Sequence, residues 1–536
     1  MPTRETPHGR HRRLGRSALL ASLIVAAAGC ADPADEDPDR PILCAVDQPF
    51  PYADVTYASN HVGPRNSDYI PCPGPLEVEA SWHVLQTHLI AQPNTFSEDG
   101  KTAYVTSSPG NDGCTVHALS TWTGRFRWQR CDLSYAVAGS AVEVDEDGNL
   151  YVTDRNVLHA LEPDHGRDRW TTTLPDADPP GLVYGLKFTA DGHLVTQTGN
   201  GTVYLVDRAD GTILASFDVA AETGYVPPAT LDIGGDILPD FVLERAMIMV
   251  GEENPTAAEE AITGLFGGSG AFADNTVVTS ARRQVLTVGG GPTPELGAVA
   301  ALDIGGDAQS PTLTLAWTTE LPAGSASTVA LLEGGGRAVL ADGSGTIHLL
   351  DAEACDDNTD ADAEPTRCAT AWSYAQPGTV PGSVSVTPAG EIYFISTPGD
   401  GVDGADAIYA LRDAGDHPEV RWSRRYGEQE MFTTVLTVTQ NAIYGLLTDI
   451  DPMFTVEGLA IPIPASPVSN RIVILDPANG DILFSLPAPN SSITELILSP
   501  HGDLFLTMSG IVETVVMDPN APDPVAGMIR FTPPAE

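Results

Sequence analysis

Positive charge is scarce in this chain of 536 residues. It has 27 lysines and arginines against 72 aspartates and glutamates, a formal net charge of −45, and its only lysines are Lys101 and Lys187. Nucleic acids and anionic lipid surfaces bind through clustered positive charge, so the composition argues against both as partners. It suits a highly soluble surface, divalent cations, or partner proteins with a basic face.

Short catalytic motifs are lacking as well. The sequence contains no Gly-x-Ser-x-Gly, no Walker phosphate loop, no His-Glu-x-x-His and no Cys-x-x-Cys. These motifs supply, respectively, a nucleophile, a phosphate cradle, a zinc site and a redox pair. No motif of the chain therefore predicts catalysis.

Apolar residues form only a short run near the beginning of the chain. Ser17 to Ala28 follow five arginines and carry no charge, but twelve residues are too few to cross a bilayer of about 30 Å as a helix. Residues 1–29 are therefore interpreted as a signal peptide. The following Ala27-Ala28-Gly29-Cys30 resembles the lipobox of bacterial lipoprotein precursors, which implies a lipid anchor on Cys30. Ordinary signal cleavage with a free Cys30 thiol is the alternative.

The segment after Cys30 predicts a tether. Residues 30–43 are acidic and proline-rich, a composition that stays extended and solvated. We expect an exported protein held by its lipid at the outer membrane or the cell surface, with the periplasmic side as the alternative. The membrane would be contacted only through that lipid.

Six cysteines follow Cys30, and an even number in an oxidising compartment predicts disulfides. The register of one hairpin supports one of the pairings. A turn centred on Trp122 and Thr123 pairs Leu119 with Phe126, and the same register places Cys114 opposite Cys131. Close spacing favours three pairs, which are Cys44 with Cys72, Cys114 with Cys131, and Cys355 with Cys368.

The sequence contains an internal repeat. Each copy has a short β-rich run, a turn with a glycine, and an aromatic position four residues after that glycine. The aromatic positions are Trp82, Trp128, Trp170, Ala215, Trp317, Trp372, Trp422 and Phe484. Most successive spacings approach the roughly 40–50 residues of a four-stranded propeller blade.

The repeat predicts an all-β fold, a β-propeller of eight four-stranded blades over residues 44–536, with seven blades as the alternative. The 102 residues between Ala215 and Trp317 are interpreted as one blade with an irregular insertion around 220–270, rather than as two blades. We expect the ring to close by pairing a strand near Trp82 with C-terminal strands. Helix signals are nearly absent, except around 256–264.

The repeat resembles the pyrroloquinoline-quinone-like propeller repeat, whose pattern is roughly Ala-x-Asp-x-x-Thr-Gly-x-x-x-Trp. Residues 119–128 match it best, and residues 160–170 come next. The resemblance implies that the tryptophan packs between adjacent blades and that the glycine closes a tight turn. The blade-packing residues on this basis are Gly124, Trp128, Gly166, Trp170, Trp317, Trp372 and Trp422.

One acidic loop could hold calcium. Asp232-Ile-Gly-Gly-Asp236-Ile-Leu-Pro-Asp240 resembles the calcium loop of integrin-type propeller repeats, which places oxygen ligands at positions 1, 3, 5 and 9. Gly234 leaves position 3 without a side-chain ligand. The alternative interpretation is an ordinary Asp-Gly turn without a metal.

The repeat family includes quinone dehydrogenases and the scaffold lipoproteins of outer-membrane protein assembly. The vicinal Cys-Cys disulfide of the dehydrogenases is absent, and neither their cofactor-stacking Trp nor their catalytic Asp can be located. We therefore expect a non-catalytic scaffold, without a cofactor, that binds envelope proteins or an envelope polymer. The alternative is a dehydrogenase that uses pyrroloquinoline quinone and calcium.

Overall fold

A computed structural model of the chain places residues 39–536 in one compact unit. The residues that the structure describes are 38–175, 183–229, 240–250, 271–273, 276–280, 283–325, 327–355, 366–368, 370–380, 382–397, 407–427, 430–450, 453–454, 463–464 and 467–534. The predicted signal peptide and Cys30 lie outside these residues.

Eight antiparallel sheets of four strands form the ring, and the first four follow one another along the chain. Within each blade the strands are given from the innermost to the outermost. Blade 1 contains Thr95–Phe96, Thr102–Thr106, Val116–Ser120 and Phe126–Arg130; blade 2 contains Glu143–Val144, Leu150–Asp154, Val157–Leu161 and Asp168–Thr173; blade 3 contains Val183–Phe188, Leu194–Thr198, Thr202–Val206 and Ile213–Asp218; blade 4 contains Val278–Thr279, Gln284–Gly290, Gly297–Asp307 and Ser310–Leu321.

The other four blades follow the same plan, and the last one uses a strand from each end of the propeller. Blade 5 contains Ala330–Leu331, Arg337–Ala341, Thr346–Asp351 and Thr370–Ala375; blade 6 contains Ser385–Val386, Glu391–Ser396, Ala407–Asp413 and Pro418–Arg425; blade 7 contains Thr437–Thr439, Ile443–Asp449, Ser469–Leu475 and Ile482–Ala488; blade 8 contains Leu496–Leu498, Leu504–Met508, Gly527–Thr532 and Glu79–Val84.

A few short strands extend this plan. Tyr69–Ile70 runs parallel to the inner strand of blade 7, Glu430–Phe432 pairs with the second strand of that blade, and Thr366–Arg367 runs parallel to the outer strand of blade 4. Met453–Phe454 and Ile463–Pro464 pair with each other.

The predicted all-β propeller with eight four-stranded blades is confirmed. Blade 8 closes the ring, because Glu79–Val84 pairs antiparallel with Gly527–Thr532 as its outermost strand. Blades 3 and 4 are consecutive, so the long interval between Ala215 and Trp317 holds one blade and an insertion, as predicted. All eight aromatic positions of the repeat lie on outer strands, one in each blade.

A β-bulge recurs immediately before the aromatic position of every outer strand. In blade 1, Ala118 pairs with Trp128 but Leu119 pairs with Phe126, so Arg127 is the extra residue. The same one-residue shift occurs in each of the other seven blades. Because facing alternates along a strand, the extra residue moves Trp128 to the face of the sheet that carries Ala118.

The bulge also corrects the predicted hairpin register. The pairing of Leu119 with Phe126 was right, but beyond the bulge each residue pairs one position later, for instance Val116 with Arg130. Cys114 and Cys131 are nevertheless joined, because they lie just past the last pair of the ladder. The sequence pattern could not reveal a bulge that carries no glycine.

The structure contains a helix that the sequence did not predict. Asp240–Val250 is helical and falls within the insertion, whereas the expected helix around 256–264 lies outside the described residues. The other helical segments of the described residues are Asn60–Val62, Tyr135–Gly139, Val219–Thr223, Ala352–Cys355 and Ile511–Thr514. Among the described residues, no helix has the length and apolar character needed to cross a membrane.

Candidate functional site

Residues 52–70 fill the axis of the propeller, and we call them the axial segment. Their backbone bonds to the inner strands of five blades. The pairs are Val144 N–H with Ala58 O, Phe96 N–H with Tyr57 O, Leu331 N–H with Arg65 O, Val386 N–H with Ser67 O, and Val438 N–H with Asp68 O. Side chains connect it to the remaining three blades, because Lys187, Val277 and Glu495 bond to Ser59, Asn66 and His61. One segment therefore contacts all eight blades.

A disulfide closes the base of the axial segment. Cys44 bonds to Cys72 with a Cα–Cα distance of 5.7 Å. The Cys44 N–H donates to Pro500 O in a turn of blade 8, and Cys72 O accepts from Gln440 in the equivalent turn of blade 7. Both ends of the segment therefore lie on the same face of the ring, and the segment enters the channel and returns.

Buried charges cluster where the axial segment meets the inner strands. We call this cluster the hub, and its members are His61, Asp68, Glu143, Lys187 and Glu495. None of them is more than 7% exposed. The Lys187 ammonium donates to Ser59 Oγ at 2.8 Å and to the backbone oxygens of Asn60 and Gly63, while Glu143 accepts from the Asn60 N–H at 3.4 Å.

Burial and charge oppose each other in the hub. Burial works to lower the pKa of His61, but Asp68 and Glu495 outweigh it and raise that pKa to about 10. Burial raises the pKa of Glu143 to about 8 against the pull of Lys187, and it lowers the pKa of Lys187 to about 8. Burial likewise raises the pKa of Asp68 to about 6, and His61 opposes the shift. In each case burial favours the neutral form of the group, and a neighbour of opposite charge favours the charged form.

The insertion helix, Asp240–Val250, packs against residues of blade 8. Val242 and Ala246 are buried in one apolar cluster with Leu89 and Ile511. Ile511 belongs to the loop that follows the second strand of blade 8. Arg245, 5% exposed, donates to three backbone oxygens of that loop, which belong to Val516, Asp518 and Ala521. In the order of the ring, blade 8 lies four blades from blade 4, so this helix packs far from the two blades that flank it in sequence.

Contacts between tryptophans and glycines join neighbouring blades, and we call the set the outer belt. Trp82, Trp128, Trp170 and Trp422 lie over glycines of the next blade, respectively Gly124, Gly166, Gly211 and Gly480. A Cβ added to any of these glycines would lie 2.5–2.9 Å from the ring atoms, except that at Gly211 a Thr172 oxygen is slightly closer. The indole N–H groups of these tryptophans donate to backbone oxygens of the next blade at 2.6–3.2 Å.

The other two predicted blade-packing tryptophans vary this arrangement. The indole N–H of Trp372 donates to the Asp413 carboxylate of blade 6 at 3.1 Å. Trp317 is fully buried in the core between blades 4 and 5, and its indole N–H has no hydrogen-bond partner among the described residues.

A groove of about 540 Å³ runs between the outer edges of blades 6 and 7. Its lining residues are Arg424, Arg425, Tyr426, Gly427, Arg471, Asp481, Ile482 and Leu483. Three arginines in one groove stand out in a chain with 72 carboxylates and 27 basic residues. We call this feature the arginine groove.

The three arginines of the groove differ in their partners. Arg471 binds both oxygens of Glu430 at 2.7 and 2.8 Å, and Arg424 binds Asp481. The side chain of Arg425 is exposed, and its guanidinium makes no hydrogen bond or ion pair with the residues that the structure describes.

The remaining predicted sites are only partly described. Asp232 and Asp236 of the proposed calcium loop lie outside the described residues, while Asp240 is the exposed first residue of the insertion helix. An acidic residue in the first turn favours a helix because it faces the positive end of the helix dipole. Cys355 and Cys368 are joined, and the segment before Cys368 covers the outer edge of blade 4.

Sequence reasoning missed the hub altogether. Residues 50–70 carry no copy of the repeat, and no spacing relates His61 to Glu143, Lys187 or Glu495. The single available signal was composition, because Lys187 is one of two lysines and lies within a β-rich run. The groove was missed for a similar reason, since Arg424 and Arg471 come from different blades.

A family model matches one part of the chain. Residues 112–288 match the family model described as outer membrane protein assembly factor BamB. These residues include all of blades 2 and 3 and parts of blades 1 and 4. No curated protein sequence matches the chain.

Solved structures agree on the fold. A europium-containing methanol dehydrogenase matches with a TM-score of 0.55 at 12% identity, covering 89% of this chain and 98% of the other. The quinohemoprotein alcohol dehydrogenase from Comamonas testosteroni matches with a TM-score of 0.52 at 12% identity, covering 90% and 82%. BamB from Moraxella catarrhalis gives a TM-score of 0.49 at 13% identity, covering 85% and 99%. The two dehydrogenase structures, with TM-scores above 0.5, share the propeller fold with this chain, and at 12% identity they leave its activity open.

Proposed function

We propose that this protein is a non-catalytic scaffold of the cell envelope that holds a partner protein by an acidic, extended segment in the arginine groove. The observation that carries the proposal is the occupied axis. The inner face of every blade contacts the axial segment, so residues 52–70 take the place of an axial ligand. The surfaces left for recognition are the faces and the outer edges of the blades.

The described residues do not fit pyrroloquinoline quinone. A quinone site needs a stacking aromatic, a catalytic carboxylate and cation ligands that converge on the axis. All seven tryptophans of the chain lie on outer strands or, for Trp122, in the turn before one. The axial carboxylates contact the axial segment, because Glu143 accepts from the Asn60 N–H and Asp68 lies 3.0 Å from His61, so residues 52–70 occupy the space that a planar quinone would need. No reaction step is therefore derived through a quinone.

Charge complementarity favours an acidic partner segment. Arg425 is available, and Arg424 and Arg471 are held in place by carboxylates that a ligand carboxylate could join. Guanidinium groups bind carboxylates through paired hydrogen bonds. Val420, Ile482 and Leu483 are 50%, 38% and 46% exposed beside the arginines, so the matching segment also carries apolar residues.

The outer edges of the blades favour an extended conformation for that segment. Outer strands present unpaired backbone groups that can accept a further strand. Blade 4 already does so within this chain, where Thr366–Arg367 pairs in parallel with Trp317 and Thr318. The outer strand of blade 6, Pro418–Arg425, offers the same edge with arginines at its end.

Peptide binding tests the groove. The probe is a labelled twelve-residue peptide that alternates glutamate with valine, compared with a peptide that carries lysine in place of glutamate. We expect the acidic peptide alone to bind, with an affinity that falls as salt increases, and Arg425→Glu to weaken it roughly tenfold. Arg169→Glu, an exposed arginine on the outer strand of blade 2, is the matched control. Equal binding of the two peptides, or equal effects of the two variants, would refute the groove as the binding surface.

Membrane attachment through Cys30 remains part of the proposal. Replacement of Cys30 by alanine should move the protein from the membrane fraction to the soluble fraction while its thermal unfolding stays unchanged. The measurement is fractionation of cells that express either form. A Cys30→Ala protein that stays with the membranes would contradict lipid anchoring.

A further inference from the structure

The ring of His61 faces more hydrogen-bond acceptors than it can satisfy. Its Nδ1 lies 3.0 and 3.1 Å from the two carboxylate oxygens of Asp68 and 3.0 Å from Oε1 of Glu495. A ring nitrogen carries at most one proton, whereas three oxygens approach this one. Asp68 and Glu495 are 0% and 2% exposed, so solvent cannot complete their coordination.

Thr328 holds the other side of the same ring. Its hydroxyl oxygen lies 3.3 Å from Nε2 of His61. A proton on Nε2 that is donated to this oxygen leaves the lone pair of Nδ1 directed at the two carboxylates. Metal-binding histidines are usually held in this way, with one N–H fixed by an outer partner and the other nitrogen on the metal.

Glu495 has a further unsatisfied oxygen. Its Oε2 is buried and makes no hydrogen bond in the described part of the chain. The hydroxyl of Tyr57, which is fully buried, likewise makes no hydrogen bond of acceptable geometry in that part of the chain. A buried carboxylate oxygen without a partner is costly unless a cation lies beside it.

The charges of the hub leave room for a divalent cation. Three buried carboxylates, those of Asp68, Glu143 and Glu495, face one ammonium, that of Lys187. A metal ion on Nδ1 takes the place of the His61 proton that otherwise lies between Asp68 and Glu495, and the remaining groups then carry two formal negative charges in excess. One divalent ion bound at Nδ1 would balance them without placing a proton on any carboxylate.

We propose that His61, Asp68 and Glu495 bind a divalent transition-metal ion, with Zn²⁺ as the simplest candidate. Their ligand atoms all lie within 4.8 Å of one another. One imidazole nitrogen and two carboxylate oxygens are a donor set that zinc accepts and that calcium and magnesium, which prefer oxygen alone, use less readily. The ion would join the axial segment, which supplies His61 and Asp68, to blade 8, which supplies Glu495.

Metal content of the native protein tests the site. The full chain is produced in zinc-supplemented medium, dialysed against metal-free buffer, and analysed by mass spectrometry of its metals. We expect about one ion per chain in the wild type and at least tenfold less in Glu495→Gln and in His61→Gln. Glu143→Gln is the matched control, because Glu143 is equally buried in the hub but is not one of the three ligands. It should retain the ion.

A second variant keeps the test independent of folding. Thr328→Val removes the outer partner of His61 and leaves all three ligands, so it should lower the zinc affinity by about 10–100-fold while the far-ultraviolet spectrum is unchanged. Protein grown with Co²⁺ should show the visible absorption of a cobalt site with nitrogen and oxygen ligands, and Glu495→Gln should lose it. A folded wild type that contains no stoichiometric metal, or equal metal in the wild type and in Glu495→Gln, would overturn the proposal. Either result would leave the arginine groove untouched.

Discussion

The hub and the outer belt hold the same blades together in opposite ways. The outer belt repeats one contact around the ring, in which an indole lies on the glycine turn of the next blade and donates its N–H to that turn. The hub occurs once. It lies where the axial segment, which contacts all eight blades, meets blades 2, 3 and 8. The belt is largely apolar and partly exposed, whereas the hub consists of ionisable side chains that are buried.

The difference shows how stability is distributed in this propeller. Loss of one belt contact removes one of several equivalent interfaces, so the effect stays local. Loss of one hub contact leaves a buried charge or dipole without a partner, which is among the most expensive changes a folded protein can undergo. At the rim, many equivalent contacts each contribute little to the free energy of unfolding. At the axis, a few unique contacts each contribute much.

Replacement of Lys187 should have the largest effect. Lys187→Met leaves Glu143 without its cation and the Asn60 and Gly63 oxygens without a donor, so we expect unfolding to become easier by about 3–5 kcal/mol. Denaturant titration followed by tryptophan fluorescence measures it. The matched control is Lys101→Met at the only other lysine, whose partner Asp39 is 97% exposed, and we expect about 0–1 kcal/mol there. A similar loss of unfolding free energy at both lysines would contradict the proposed difference between the axis and the rim.

A glycine of the outer belt should show the next largest effect. Gly166 has a φ of +62°, and an added Cβ would lie 2.5 Å from the Trp128 ring. Gly166→Ala should therefore cost about 2–4 kcal/mol, from the backbone conformation together with the steric overlap. In a Trp128→Ala background the overlap disappears, and the cost of the same change should fall to about 1–2 kcal/mol. Identical costs in both backgrounds would contradict the packing of tryptophan on glycine.

His117 lies in a blade interior rather than in the hub, and its protonation shows whether that interior accepts a buried charge. It is fully buried in blade 1 between Ser107 and Gln129, and burial, helped by the charge of His88, lowers its pKa to about 3. The unfolded chain takes up a proton below about pH 6.5 but the folded one does not, so this residue removes stability as the pH falls from 6.5 towards 3.

The expected size of that effect is about 2 kcal/mol at pH 5 relative to neutral pH. His117→Gln keeps a polar group and cannot titrate. The stability advantage of the wild type over the variant should therefore shrink by that amount between pH 7 and pH 5. Comparing the two proteins cancels the titration of the many carboxylates. A constant difference across this range would mean that His117 is charged in the folded protein.

The sequence by itself determined the architecture of the ring. Blade packing uses the same two residue types in successive blades, with Trp82 on Gly124 and Trp128 on Gly166. Each copy therefore carries a glycine and, four residues later, an aromatic position, and the repeat appears in the sequence as a pattern of fixed spacing. The count of eight blades, the closing strand at Trp82 and the insertion after Ala215 could all be predicted for this reason. The predicted disulfide pairs also join cysteines close in sequence.

Only the tertiary structure decided the hub and the arginine groove. His61, Lys187 and Glu495 are separated by more than a hundred residues each. No periodicity relates them, because blades 2, 3 and 8 contribute different side chains to the hub and the axial segment supplies the rest. The bulge before each tryptophan was also invisible, since it changes which face a residue occupies without changing the residue type. Local spacing encodes the interfaces that repeat, whereas contacts made once, across the ring, exist only after the ring has closed.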